Sequence, residues 1–191
     1  MAALNWPNFL TMLRILLVPV LVVALVGNVG DGDVFAAIVF AVASVTDFVD
    51  GYLARSRNSV TTFGKLMDPL ADKLLIVAAL ISLVSLHRLA AWVAMVIIAR
   101  ELAVTVLRMG ATQAGVVIPA SNFGKAKTCV QIAAVLSVIT VHGHPAWLDA
   151  LVYAAVAITV ASGLDYFFGL RRRIAEGARD GSAVAPLPRT R

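Results

Sequence analysis

Six apolar runs set the terms on which this chain can fold. They cover roughly residues 9–27, 34–54, 66–86, 89–108, 126–142 and 147–170. A helix of about 20 mostly apolar residues crosses the hydrocarbon core of a bilayer. Lipid offers no partner to an open strand edge or an irregular loop, so runs of this length read as helices. The breaks between them carry turn chemistry: "GNVGDGD" at 27–33, "SRNS" at 56–59, "HR" at 87–88, "GATQAG" at 110–115 and "HGHP" at 142–145. Of the 191 residues, 60% are hydrophobic and 14% charged, where soluble domains carry about 25% charged residues. The expected fold is an all-α integral membrane protein of six transmembrane helices.

The charged residues give the chain a sidedness. An even number of spans puts both termini on one side. Arg14, Arg55, Arg57, Lys65, Arg108, Lys125, Lys127 and Arg171–Arg173 then fall at one face, with Arg88 the exception. The excess of Lys and Arg marks that face, and both termini, as cytoplasmic. The net charge of +5 is therefore read as membrane sidedness and not as nucleic-acid binding. Arg14 lies inside the first apolar run, unlike the basic start of a cleaved signal, so that run is read as a retained span. Cys129 stands alone and forms no internal disulfide. Residues 1–170 read as one membrane domain. Residues 171–191 read as a basic cytoplasmic tail expected to fray into solvent.

Within this apolar frame, "TDFVDGYLARSRNSVTTFGKLMDPLADK" at 46–73 carries four aspartates. Asp47 and Asp50 are three apart; Gly64, Asp68 and Asp72 are four apart. Those spacings put each pair on one helical face. A short linker makes an antiparallel hairpin of spans two and three, with the pairs facing each other. Four carboxylates repel, and each is costly to desolvate. A set of Asp without His or Cys is a hard-oxygen site that suits Mg²⁺, Mn²⁺ or Ca²⁺. Two divalent ions balance four aspartates, and paired metals clamp both oxygens of a phosphoryl transfer. Gly51 allows close approach to the backbone, Ala54 is small, and Arg55 can fork onto a phosphate. Pro69 either bends the third span or marks its first turn.

These residues resemble the signature of the CDP-alcohol phosphatidyltransferase family, D-x-x-D-G-x-x-A-R followed by G-x-x-x-D-x-x-x-D. Asp47, Asp50, Gly51, Ala54, Arg55, Gly64, Asp68 and Asp72 fill every fixed position. The resemblance implies six membrane helices and displacement of CMP from a CDP-linked lipid by an alcohol. It implies a metal site of Asp47, Asp50, Asp68 and Asp72, holding Mg²⁺ or Mn²⁺, with two ions expected. It makes Asp72 the general base as well. It places CDP-diacylglycerol against Gly51, Ala54, Arg55, Thr61 and the segment Asn8, Phe9, Leu10 and Thr11. Helix capping is the plain alternative for Asn8 and Thr11. The active site is expected at the cytoplasmic face of the cell membrane. Family members are often dimers, but no interface can be read from this sequence.

The acceptor is a separate question. Arg100 and Glu101 sit inside the fourth run, about 100° apart round a helix, which leaves Arg100 free to face something else. Lys125 and Lys127 open the fifth run. With Lys65 and Arg108 these cations would form a pocket for an acceptor that carries phosphate. The stretches at 97–108 and 121–128 resemble those of family members that take glycerol 3-phosphate. Membrane anchoring is the alternative for the lysines, and a carboxylate on a neighbouring span is the alternative partner for Arg100. Sibling acceptors, inositol phosphate or phosphatidylglycerol, remain open. So does a cation transporter, although no inverted repeat is visible and the carboxylates cluster at one face. "HGH" at 142–144 reads as a turn and not as a metal site.

Overall fold

A backbone amide in hydrocarbon has only its own chain to bond, and the six apolar runs resolve into six α-helices. The computed structural model describes residues 6–27, 31–54, 62–113 and 122–179, with side chains described over 12–27, 31–46, 73–111 and 126–173. The helices are α1 (Trp6–Val26), α2 (Gly32–Ala54), α3 (Thr62–Ser85), α4 (Ala91–Gln113), α5 (Asn122–Thr140) and α6 (Ala146–Arg179). No strand occurs among the described residues.

α6 runs nine residues beyond the boundary expected at 170. The stretch "RRRIAEGAR" lacks apolar periodicity but is rich in Arg and Ala, which favour helix. Arginine near a helix C-terminus also complements its dipole. Residues 180–191 lie outside the described residues.

The packing forms a ring. α1 packs on α2 and α3, α2 on α5, α5 on α6, α6 on α4, and α4 on α3, while α3 and α5 also meet across the ring. α1 therefore lies against both α2 and α3, where a simple α2–α3 hairpin was expected. Its buried stripe of Leu21, Ala24 and Leu25 supplies the surface. The seven residues 55–61 can span no more than about 30 Å. α2 and α3 are each longer than that, at about 1.5 Å per residue. The end of α2 and the start of α3 thus share one end of the bundle. Leu21, Phe40, Leu80, Leu83 and Ile139 fill the middle of the ring.

The outside is apolar as well. Leu16, Val23, Ile38, Val45, Met95 and Val106 are all exposed. In water that surface would cost about 25 cal/mol per Å²; in hydrocarbon it costs nothing. Among the described residues one helical stretch, Ala146–Arg173, is long and apolar enough to cross a bilayer, an 18-residue window of it having a mean hydropathy of 1.7. Four shorter apolar stretches lie in α1, α2, α3 and α5.

At the end opposite the aspartates, α3 closes in a left-handed cap. The Arg88 amide bonds the Leu83 carbonyl and the His87 amide bonds that of Val84, both at 3.0 Å, with His87 at φ +58°. This turn aims Arg88 back at the bundle. Its guanidinium meets Asp33 of α2 at 2.8 Å and donates to the Ile139 carbonyl of α5 at 3.2 Å. His142 also meets Asp33, at 2.8 Å. In the same 142–144 loop Gly143 has φ +93°, a conformation suited to glycine. This places "HGH" in a turn.

The Arg88 exception to the charge rule thus clasps α2, α3 and α5 together. The hydrogen bond from Arg88 holds the Asp33 carboxyl below its ordinary value of 3.8, and the Arg88 and His142 charges act the same way. A lowered carboxylate contributes stability above its unfolded value and loses it as pH falls through the folded one. Asp33→Asn should therefore lower the melting temperature at pH 7, and the gap from the native chain should close towards pH 3. Thermal melts in detergent at both pH values check this. An equal gap at both would remove the charge from the account.

Candidate active site

The structure places both aspartate pairs on regular helix. Asp47 and Asp50 lie near the C-terminal end of α2, and Asp68 and Asp72 in the first half of α3. At about 100° per residue, Asp47 and Asp50 are about 60° apart and Asp68 and Asp72 about 40°. Gly51 and Ala54 continue the α2 segment; Gly64 and Lys65 precede Asp68 on α3. Pro69 sits well inside α3, not in its first turn. Because α2 ends where α3 begins, the four aspartates share one end of the ring. The side chains of these residues lie outside the described residues, as do Arg55 and Thr61 entirely. α1 begins at Trp6, so Asn8 and Thr11 lie within the helix and neither is its cap. The side chains of Asn8, Phe9, Leu10, Thr11 and Lys125 are also outside the described set.

Beside Asp72 along α3, the described side chains form a buried ionic cluster centred on Glu101. Its side chain is 3% exposed, and Lys73 of α3 reaches its Oε2 at 3.2 Å. Lys127 of α5, 7% exposed, donates to Oε1. Arg100 Nη1 reaches the same oxygen at 3.4 Å. This corrects the expectation that Arg100 and Glu101 point apart. The backbone does separate them, but both side chains are long enough to curl back to each other. Arg100 also has partners on α6: Nε donates to the Thr159 carbonyl at 3.1 Å and Nη2 to the Ser162 hydroxyl at 2.6 Å. Gly163 completes the cradle. A Cβ there would lie 3.1 Å from Arg100 Cγ.

Among the described residues this cluster gathers three cations round one carboxylate. Charged donors brought together in this way can take up an anion. Lys127 is buried, so anchoring at a lipid surface does not describe it. Arg108 lies 5.5 Å above the Tyr166 ring of α6.

Sequence reasoning missed Lys73 and the hub role of Glu101. Lys73 directly follows Asp72, and that adjacency was the available signal. Thr159, Ser162 and Gly163 were missed too. Their i, i+3, i+4 spacing in an apolar span is the mark of a close polar helix contact.

The arrangement is a bundle with an acidic end on α2 and α3 and a buried cationic cluster at the level of Asp72. A family model for CDP-alcohol phosphatidyltransferase matches residues 4–162. The chain belongs to this membrane-associated transferase family. It is 44% identical over 181 residues to a Bacillus subtilis (strain 168) protein named CDP-diacylglycerol--glycerol-3-phosphate 3-phosphatidyltransferase, covering 85% of this chain and 93% of that one. It is 46% identical over 168 residues to a "probable phosphatidylglycerophosphate synthase" of Mycobacterium tuberculosis (strain ATCC 25618 / H37Rv), covering 85% and 79%. A Rickettsia felis protein with the Bacillus name is 36% identical over 170 residues, covering 85% and 93%.

Proposed function

We propose that this chain transfers the phosphatidyl group of CDP-diacylglycerol to sn-glycerol 3-phosphate, giving phosphatidylglycerophosphate and CMP. The observation that carries the reading is the complete eight-residue signature, seven residues of which lie on two helices that share one end of the bundle. The relatives' names agree in both donor and acceptor. The six helices are read as six spans with both termini and the active site at the cytoplasmic face.

The donor set at that end is all carboxylate, which fits Mg²⁺ or Mn²⁺. Asp47, Asp50, Asp68 and Asp72 would hold two such ions. Bound there, divalent metal would draw charge off the pyrophosphate and stabilise CMP as leaving group. The residues of the chain do the rest. Arg55 and Thr61, with Gly51 and Ala54 giving close access, bind the CDP end. The Asn8–Thr11 segment closes over it. Asp72 accepts the proton of the acceptor hydroxyl as its oxygen attacks the lipid-linked phosphorus. The phosphorus–oxygen bond to CMP breaks, and CMP carries away the electron pair. Lys127 and Arg100, with Lys65, Arg108 and Lys125, bind the acceptor. The cations gathered at Glu101 suit a phosphate monoester near its dianionic form.

The test is CMP release by the purified chain in detergent with CDP-diacylglycerol and Mg²⁺ or Mn²⁺. Glycerol 3-phosphate, inositol phosphate, inositol, serine and phosphatidylglycerol are offered in turn. Release with glycerol 3-phosphate alone is expected. Release with another acceptor would keep the aspartate site and overturn the acceptor assignment.

A further inference from the structure

Glu101 is out of place in a pocket built to bind an anion. A carboxylate lowers the pocket's charge and competes with a phosphate for the same donors. Binding alone would be served better by Gln or Leu. Yet Glu101 is almost wholly buried, and both of its oxygens are used: Oε1 by Lys127 and Arg100, Oε2 by Lys73. Three separate helices are tied through one side chain.

We propose that Glu101 is the positioning residue of the acceptor site, fixing Lys127, Arg100 and Lys73 in one arrangement before the acceptor arrives. The proposal rests on the reading of the chain as a transferase with a phosphorylated acceptor. Its physical basis is entropy. Lys and Arg side chains each carry about 2 kcal/mol of rotamer freedom, and ordering them at the moment of binding weakens affinity. A buried carboxylate that already holds all three removes that cost. Arg100 is held from a second side by Thr159 and Ser162, so the ordering by Glu101 falls chiefly on Lys127. The tie also sets register. Lys73 follows Asp72 on α3, so fixing Lys73 against α4 and α5 fixes the turn that carries the base. The phosphate and the attacking hydroxyl of one acceptor then meet groups held at a constant separation.

The test uses the full chain in detergent and titrates glycerol 3-phosphate and CDP-diacylglycerol separately. Glu101→Gln keeps the size but loses the charge. It should raise KM for glycerol 3-phosphate at least about tenfold while KM for CDP-diacylglycerol stays within about twofold. Glu101→Asp, which keeps the charge on a shorter arm, should recover most of that loss. CMP should protect Glu101→Gln from thermal unfolding as it protects the native chain, whereas protection by glycerol 3-phosphate should be lost. A merely structural glutamate would not split the two ligands in this way. If Glu101→Gln does not fold, Glu101→Asp carries the test, with a severalfold rise confined to the acceptor KM. An unchanged or lower acceptor KM for Glu101→Gln, with the native chain active, would overturn the proposal alone. A folded native chain that releases no CMP with any phosphorylated acceptor would overturn the transferase reading and this proposal together.

Discussion

Asp72→Asn should cut CMP release by a factor of about 10² to 10⁴, the range that a positioned general base contributes. Asparagine fills the same space, and its amide does not take up the acceptor's proton. The place of Asp72 makes the effect specific. It lies on regular α3 helix, four residues after Asp68 and directly before Lys73, whose ammonium is tied to Glu101 at 3.2 Å. The backbone at this point is therefore pinned from α4 and, through Lys127, from α5. An isosteric change should leave that scaffold standing. The variant is expected to melt within a few degrees of the native chain, to remain protected by CMP, and to release almost none. Retention of more than about a tenth of the native rate would move the base role to another residue, since even the low end of the range requires a larger loss.

Much of this architecture was legible in the sequence because hydrocarbon is a strict solvent. Residues that face lipid or core are apolar, so a long apolar run marks a helix whichever of the two it faces. That is why the six runs and the six helices nearly coincide. The aspartates were legible for the converse reason: a charge in such a chain stands out. The misses have separate physical causes. Ring order depends on which apolar stripes fit together, and apolar stripes look alike, so the place of α1 against both α2 and α3 was not written in any motif. The extension of α6 to Arg179 was hidden because a polar helix lacks the apolar signal that marks the others. The Glu101 cluster was hidden by side-chain length. Sequence spacing fixes where a Cβ points, but Lys and Arg reach several ångströms beyond it. Two neighbours judged to diverge by 100° can still share a contact, as Arg100 and Glu101 do.

Lys127→Met should raise KM for glycerol 3-phosphate by about 10- to 150-fold, the equivalent of losing one charge-assisted hydrogen bond of about 1.5–3 kcal/mol. Methionine matches the lysine stem in length and apolar character, so packing on α5 should persist. Glu101 would keep Lys73 and Arg100 as partners, which separates this change from one that strands a buried charge at a cost of about 3–5 kcal/mol. The fold should hold with a modest fall in melting temperature. The cluster would lose one of its three cations, and with it one charged donor for the acceptor phosphate. KM for CDP-diacylglycerol has no reason to move, because the donor is assigned to residues on α1, α2 and the segment after it. Separate titrations of the two substrates decide the matter. A lower melting temperature with both KM values unchanged would make the Lys127–Glu101 pair a tie between α4 and α5 and nothing more. A rise confined to the acceptor would put Lys127 at the phosphate.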